Sequence, residues 1–157
     1  MDNNVLAAYY DSPVGILKIQ AQDGKITALT FGRDDAEPNP DGVRPIVLQN
    51  CFTQLDEYFN GKRKVFELPL GLRGTPFRQR VWAELTRIPY GETRSYKDIA
   101  VAAGNEKAVR AVGGANHHNP VSIIVPCHRV IGADGKLTGY GGEIWRKEWL
   151  LAHEKRG

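Results

Sequence analysis

The run "ILKIQAQDGKITALTF", residues 16–31, interleaves aliphatic with polar positions in two β-rich stretches on either side of Asp23-Gly24. That dipeptide supplies the positive φ of a type I′ hairpin turn, so the segment reads as a β-meander. Ser12-Pro13-Val14-Gly15 marks the turn before it. Residues 33–45, "RDDAEPNPDGVRP", are polar and rich in Pro and Asp, the composition of a surface loop. From 46 to 59 the period changes: Val47, Cys51, Leu55 and Tyr58/Phe59 recur at helical spacing, and Asn60-Gly61 stops the helix. Cys51 therefore falls on its buried face, where a cysteine acts as a small hydrophobe.

A strand-like "KVFELPL" and a Gly-rich joint at 71–74 precede a second unit, giving domains 1–71 and 72–157. Thr75 caps and Pro76 opens a helix with Phe77, Val81, Trp82, Leu85 and Ile88 as its apolar stripe, ended by "PYGE" at 89–92. Ser95-x-x-Asp98 reads as the capping box of a short helix through Ala103, closed by Gly104, and Asn105 can cap the next. Two short helices around a tight turn have the spacing of a helix-turn-helix, although such pairs also pack in proteins that never touch DNA. The expected fold class is α+β: a small N-terminal antiparallel-sheet domain with a helix, then a mostly helical, winged-helix-like C-terminal domain.

The second of those helices, "EKAVRAVGGAN", carries Gly113 and Gly114 in its interior, where each costs about 1 kcal/mol relative to Ala. With Ala108, Ala111 and Ala115 they make a flat surface beside one long cation, Arg110. Close helix packing is one reading; close approach to a nucleic-acid backbone, by shape and phosphate contacts, is the other.

Arg110 and the helix-turn-helix spacing favour the second reading. The net charge is +3, but residues 1–71 sum to −3 and residues 72–157 to +6, an asymmetry that suits a polyanion partner for the C-terminal half, although surface solvation alone accounts for a difference of this size equally well. The 157 residues, 41% hydrophobic and 25% charged, suit a globular protein, with no apolar stretch of membrane-spanning length. No secretory leader pattern is visible in "MDNNVLAAYYDSPVG", so a cytoplasmic setting, without membrane partners, is expected. Cys51 and Cys127 are far apart and form no C-x-x-C pair, which argues for two separate thiols.

Cys127 ends the aliphatic run "VSIIV" after Pro126, which predicts a thiol on a rigid extended stalk. Alternation along such a stalk turns His128 away from Cys127, so a proton would pass through water. Help is needed because a free thiol with a pKa of about 8.5 is mostly protonated at neutral pH, and the thiolate is the nucleophile. Glu154, in the last turn of the C-terminal helix "IWRKEWLLAHE", is the candidate acceptor that orients His128. His117 and His118 share no regular ligand spacing with Cys127 and His128, and neither metal nor cofactor is expected.

"PCHRV" at 126–130, together with "SYKDIA", "RAVGGAN", Asn119-Pro120 and "KEWLLAHE", resembles the O6-alkylguanine-DNA alkyltransferases over roughly residues 75–155; "LDEYFNGKRKVFELPL" resembles their domain junction. The resemblance implies a helix-turn-helix that enters the minor groove of double-stranded DNA carrying O6-alkylguanine, flips the lesion out and moves its alkyl group irreversibly to a cysteine. By motif, Cys127 would be the acceptor, His128 the base through water, Glu154 its orienter and Arg110 the intercalating finger, with Ala108, Ala111, Gly113 and Gly114 against the DNA. Tyr96 would turn a phosphate and assist the leaving guanine, and Asn119 would order the turn before the active-site strand. Tyr140 would wall the pocket, the Gly141 backbone would meet O6, and the carbonyls of Cys127 and Val130 would take the exocyclic amine. Gly141 stands where some relatives have a hydroxyl residue, a change that would widen the pocket. With no second nucleophile or cofactor motif to cleave a thioether, the implied reaction is single-turnover, by a monomer. A non-catalytic lesion-binding protein is the alternative from another class, and a cysteine hydrolase, which would turn over repeatedly, is a third.

Overall fold

The computed structural model describes residues 5–34, 44–137 and 143–156. The chain divides into two compact units, Met1–Leu72 and Arg73–Gly157.

In the first unit β1 (Leu6–Ser12), β2 (Gly15–Gln22) and β3 (Lys25–Phe31) form an antiparallel sheet in the order β1-β2-β3. The β2–β3 turn has Asp23 at φ 54° and Gly24 at φ 76°, the two positive values that a type I′ hairpin demands. Gln20 pairs with Ala28 but Ala21 with Ile26, so Thr27 is an extra residue on β3. This bulge lets Ile26 and Leu29, three positions apart, both bury beside Leu17, Ile19 and Ala21. Helix α1 (Ile46–Phe59) buries Val47, Leu48, Cys51, Leu55 and Tyr58, and it stops at Asn60 with Gly61 at φ 74°. The loop expected at 33–45 lies mostly outside the described residues.

The strand-like "KVFELPL" is a strand only in name: it contributes one isolated parallel bridge, Leu70 to Ile26. Pro69 cannot donate to a ladder, although its carbonyl accepts from Ile26 N at 2.8 Å. The Gln54 side chain serves the backbone earlier in the run, accepting from Glu67 N at 2.8 Å and donating to Glu67 O at 3.1 Å. A side-chain amide thus replaces a neighbouring strand.

The second unit opens with α2 (Pro76–Thr86), where Thr75 Oγ1 accepts from Arg78 N. Trp82 is buried and donates through Nε1 to Ala115 O at 2.9 Å. Gly74 makes room for it, since a Cβ there would stand 2.5 Å from the indole. After β4 (Arg94–Ser95), α3 (Tyr96–Ala102) begins with the full Ser95/Asp98 capping box. Helix α4 (Val109–His117) starts three residues later than Asn105 capping would place it. Asn105 instead accepts from Lys107 N in a tight turn, and its carbonyl takes Ala108 N. The α3-turn-α4 pair is the helix-turn-helix. β5 (Val130–Ile131) lies parallel to β4, and α5 (Ile144–Arg156) follows. No described helix is long and apolar enough to cross a membrane.

Candidate active site

The aliphatic run before Cys127 is not a strand. Residues 122–125 fold as turns and a bend, and Cys127–Arg129 form one 3₁₀ turn. Asn119 organises the run, because Oδ1 accepts from Val121 N at 3.0 Å and Nδ2 donates to Val125 O at 2.8 Å. These bonds satisfy backbone groups that would otherwise need a ladder, and the buried side chains of Val121, Ile123 and Val125 hold the coil in place. Ile123 sits at φ 72°, a region a β-branched residue enters only under constraint. Pro126, at φ −82° and ψ 65°, centres an inverse γ-turn in which Cys127 N donates to Val125 O at 2.8 Å. The stalk is rigid, as the proline implies, but it is coiled. Strand alternation therefore does not govern His128, since residues of a 3₁₀ turn step round by about a third of a circle.

Cys127 is only 3% exposed. Burial pushes its thiol pKa up, while hydrogen bonds with the Asn119 and Ser122 side chains and the charge of Lys147 pull the other way. Cys51 has burial alone and is pushed up to about 12. The two thiols are free and buried alike, so polar surroundings rather than exposure distinguish them. The Cys127 carbonyl accepts from Val130 N and, at 3.3 Å, from Asn116 Nδ2.

His128 is fully buried, and burial lowers its pKa against the raising effect of Glu154. Its Nε2 lies 2.7 Å from Glu154 Oε2. Burial by itself would raise the Glu154 pKa, but bonds from His128 and Arg129 outweigh it and hold the carboxyl well below the usual range. A carboxylate only accepts, so the Nε2 nitrogen carries the proton and Nδ1 keeps its lone pair. Nδ1 is buried and has no hydrogen-bond partner among the described residues.

Three residues here escaped the sequence reading. Arg129 is buried and binds Glu154 through Nε at 2.8 Å and a second guanidinium nitrogen at 3.0 Å. Lys147 on α5 is fully buried, with its pKa lowered by burial to about 8 despite the opposing effect of Cys127. Asn116 reaches the Cys127 carbonyl. Their signals were present: an arginine inside the aliphatic "IIVPCHRVI", and Lys147, Leu150 and Glu154 at helical spacing on one face of α5.

Of the other candidates, Tyr96 opens α3 half-buried, Val130 is buried in β5, and Arg110 is exposed on α4 with Ala111. Ala108 is the N-cap of α4. At Gly113 and Gly114 an added Cβ would meet nothing within 4 Å, so close packing is not why those glycines are there. His117 and His118 stack edge to face at the exposed end of α4. Tyr140 and Gly141 lie outside the described residues. A cavity of about 560 Å³ between α2, β4 and α3, lined by Glu84, Arg87, Arg94 and Asp98 among others, does not include the thiol.

The family model described as "6-O-methylguanine DNA methyltransferase, DNA binding domain" matches residues 76–156, and its "ribonuclease-like domain" matches residues 5–72. The chain belongs to the 6-O-methylguanine DNA methyltransferase family. A methylated-DNA–protein-cysteine methyltransferase of Mycolicibacterium paratuberculosis is 50% identical over 148 residues, covering 93% of this chain and 90% of that one. The constitutive enzyme of that name from Bacillus subtilis is 49% identical over 152 residues, with 92% of each chain covered. Among solved structures, Mycobacterium tuberculosis OGT in complex with DNA superposes with a TM-score of 0.88 at 48% identity, covering 97% of this chain and 94% of that one. In this methyltransferase-family chain, both matched regions fall within the two compact units.

Proposed function

We propose that the chain repairs double-stranded DNA by flipping O6-alkylguanine out of the helix and transferring the alkyl group irreversibly to Cys127. The observation that carries this reading is the buried site itself: a constrained thiol followed directly by a histidine whose Nε2 is held by Glu154 and whose Nδ1 has no hydrogen-bond partner among the described residues. In the reaction a water passes the thiol proton to His128 Nδ1, and Lys147 stabilises the thiolate it leaves. Sγ attacks the alkyl carbon in line, an S–C bond forms, and the C–O6 bond breaks. The electron pair goes to the purine, which takes a proton, aided by Tyr96, and departs as guanine. The product is a thioether, and with no group to cleave it each molecule acts once. The Cys127 and Val130 carbonyls, Tyr140 and the Gly141 backbone form the base pocket in this reading, with Asn119 holding its floor.

DNA recognition falls to the second unit, Arg73–Gly157, with Arg110 filling the gap left by the flipped base. The open space over Gly113 and Gly114 supports close approach of α4 to the duplex. Replacing either glycine with Ala is expected to stabilise the fold by about 1 kcal/mol, because helix propensity rises and nothing clashes. Replacing Gly114 with Leu is expected to leave the fold intact yet weaken duplex binding by about tenfold or more, on the order of 1.4 kcal/mol. Thermal melts and fluorescence anisotropy on an undamaged duplex check both, and unaltered binding by the Leu variant would remove α4 from the interface. The cytoplasm is the proposed setting, a compartment where unpaired thiols such as Cys51 and Cys127 are kept reduced.

The function is tested with a duplex oligonucleotide carrying a labelled methyl on O6 of one guanine. Label should move to protein with a plateau at one equivalent. Binding without transfer would identify a lesion-binding protein, and turnover beyond one equivalent a hydrolase.

A further inference from the structure

We propose that Arg129 is a positioning residue that sets the tautomer of His128 by keeping the buried Glu154 ionised and fixed in place. The proposal rests on the alkyl-transfer reading for its consequence, but its geometry stands apart from it. The guanidinium meets Glu154 side-on: Nε donates to Oε1 at 2.8 Å and NH2 to Oε2 at 3.0 Å. Its remaining arm, NH1, donates to Ile88 O at 2.7 Å, anchoring the fork to the chain just after α2. Gly91 N approaches Glu154 Oε1 at 3.4 Å from the same segment. Oε2 still accepts from His128 Nε2 at 2.7 Å. One arginine thereby joins the segment after α2, the 3₁₀ turn and α5 around one carboxylate.

The charged and titratable groups facing Glu154 are His128 and Arg129 from the turn, and Tyr90, whose ring lies 5.8 Å from the guanidinium carbon. Lys147 is two turns back on the same face of α5. Among these Arg129 alone forks onto both carboxylate oxygens. Without it the carboxyl would keep the bond from His128 and the long contact from Gly91 N but lose its guanidinium, and burial favours the protonated form. A protonated Glu154 donates to Nε2, the imidazole proton moves to Nδ1, and the lone pair that would accept the thiol proton is gone. A lysine could supply charge here but not a planar fork that also reaches Ile88 O.

The test follows the tautomer directly by NMR of nitrogen-labelled histidine, beside single-turnover methyl transfer measured from about pH 5.5 to 9. Wild type should hold the Nε2–H form of His128 throughout. In Arg129→Met the Nδ1–H form should appear and the rate at neutral pH should fall about a hundredfold. Because losing the cation raises the Glu154 pKa, activity should be lost on acidification sooner, with the acid limb moved up by about one unit or more. Arg129→Lys should keep the Nε2–H form and the wild-type limb at a rate reduced severalfold. It also serves if the Met variant does not fold. An unchanged tautomer in the Met variant, or a rate loss equal at every pH, would overturn the proposal; so would a Lys variant with the Nδ1–H form. Should wild type transfer no methyl group, the functional reading fails while the tautomer measurement still decides the role of Arg129.

Discussion

Cys127→Ser is expected to abolish alkyl transfer while leaving binding to alkylated duplex DNA unchanged. An alcohol is far more weakly acidic than a thiol, and the same His128 and Lys147 surroundings cannot ionise it. The residual rate should fall below about one part in 10⁴ of wild type, the scale on which losing a nucleophile registers. Recognition of the duplex does not use the sulfur's charge, so the dissociation constant should be unaltered. Cys51→Ser provides the contrast: Cys51 is buried on α1, its thiol pushed up to about 12 with no polar group to offset burial. That variant should transfer one equivalent at the normal rate and lose about 1–3 kcal/mol of stability from placing a hydroxyl in an apolar core. Peptide mapping after one equivalent of methylated DNA should find the methyl on Cys127 only. Methyl on Cys51 would mean that the wrong thiol has been taken for the nucleophile.

Arg110→Ala is expected to separate flipping from chemistry. If the side chain fills the gap left by an extruded base, it offsets part of an unstacking cost of a few kcal/mol. Losing roughly 3 kcal/mol of that compensation corresponds to about a hundredfold slower repair of duplex DNA. Free O6-benzylguanine has no base pair to open, so its reaction with the same variant should stay within about twofold of wild type. The structure leaves Arg110 exposed near the start of α4 with no ion-pair partner among the described residues, so its loss should not disturb the fold. Equal losses on both substrates would place Arg110 in the pocket rather than in the duplex.

Local chemistry that is complete within a few residues was legible from the chain alone. The Asp23-Gly24 hairpin, α1 with its Asn60-Gly61 stop, the Thr75-Pro76 start of α2 and the Ser95/Asp98 box each need only neighbours in sequence, and each formed. The pairing of His128 with Glu154, 26 residues apart, came from asking what orients an imidazole that acts as a base, together with the family resemblance. Where a side chain rather than a neighbouring strand supplied the backbone's partner, the reading failed. "KVFELPL" and "VSIIV" both have strand composition, yet Gln54 and Asn119 take up the hydrogen bonds that a second strand would have provided. Composition reports what a segment would do beside another strand, not whether one is there.

The sequence by itself determined the two-part organisation of motifs and the flat helix with its arginine, and it singled out Cys127, with His128 and Glu154, as the proposed reacting group. Only the tertiary structure decided the coil of the stalk, the convergence of His128 and Arg129 on Glu154, and the entry of Lys147 into the interior near the thiol. It also decided that the glycines of α4 face open space. The reason is common to all four: burial and charge act through space at distances of a few ångströms, between side chains whose separation along the chain carries no fixed period. A histidine's need for a partner can be read in one dimension, but which groups lie close enough to shift its proton is settled only once the chain is folded.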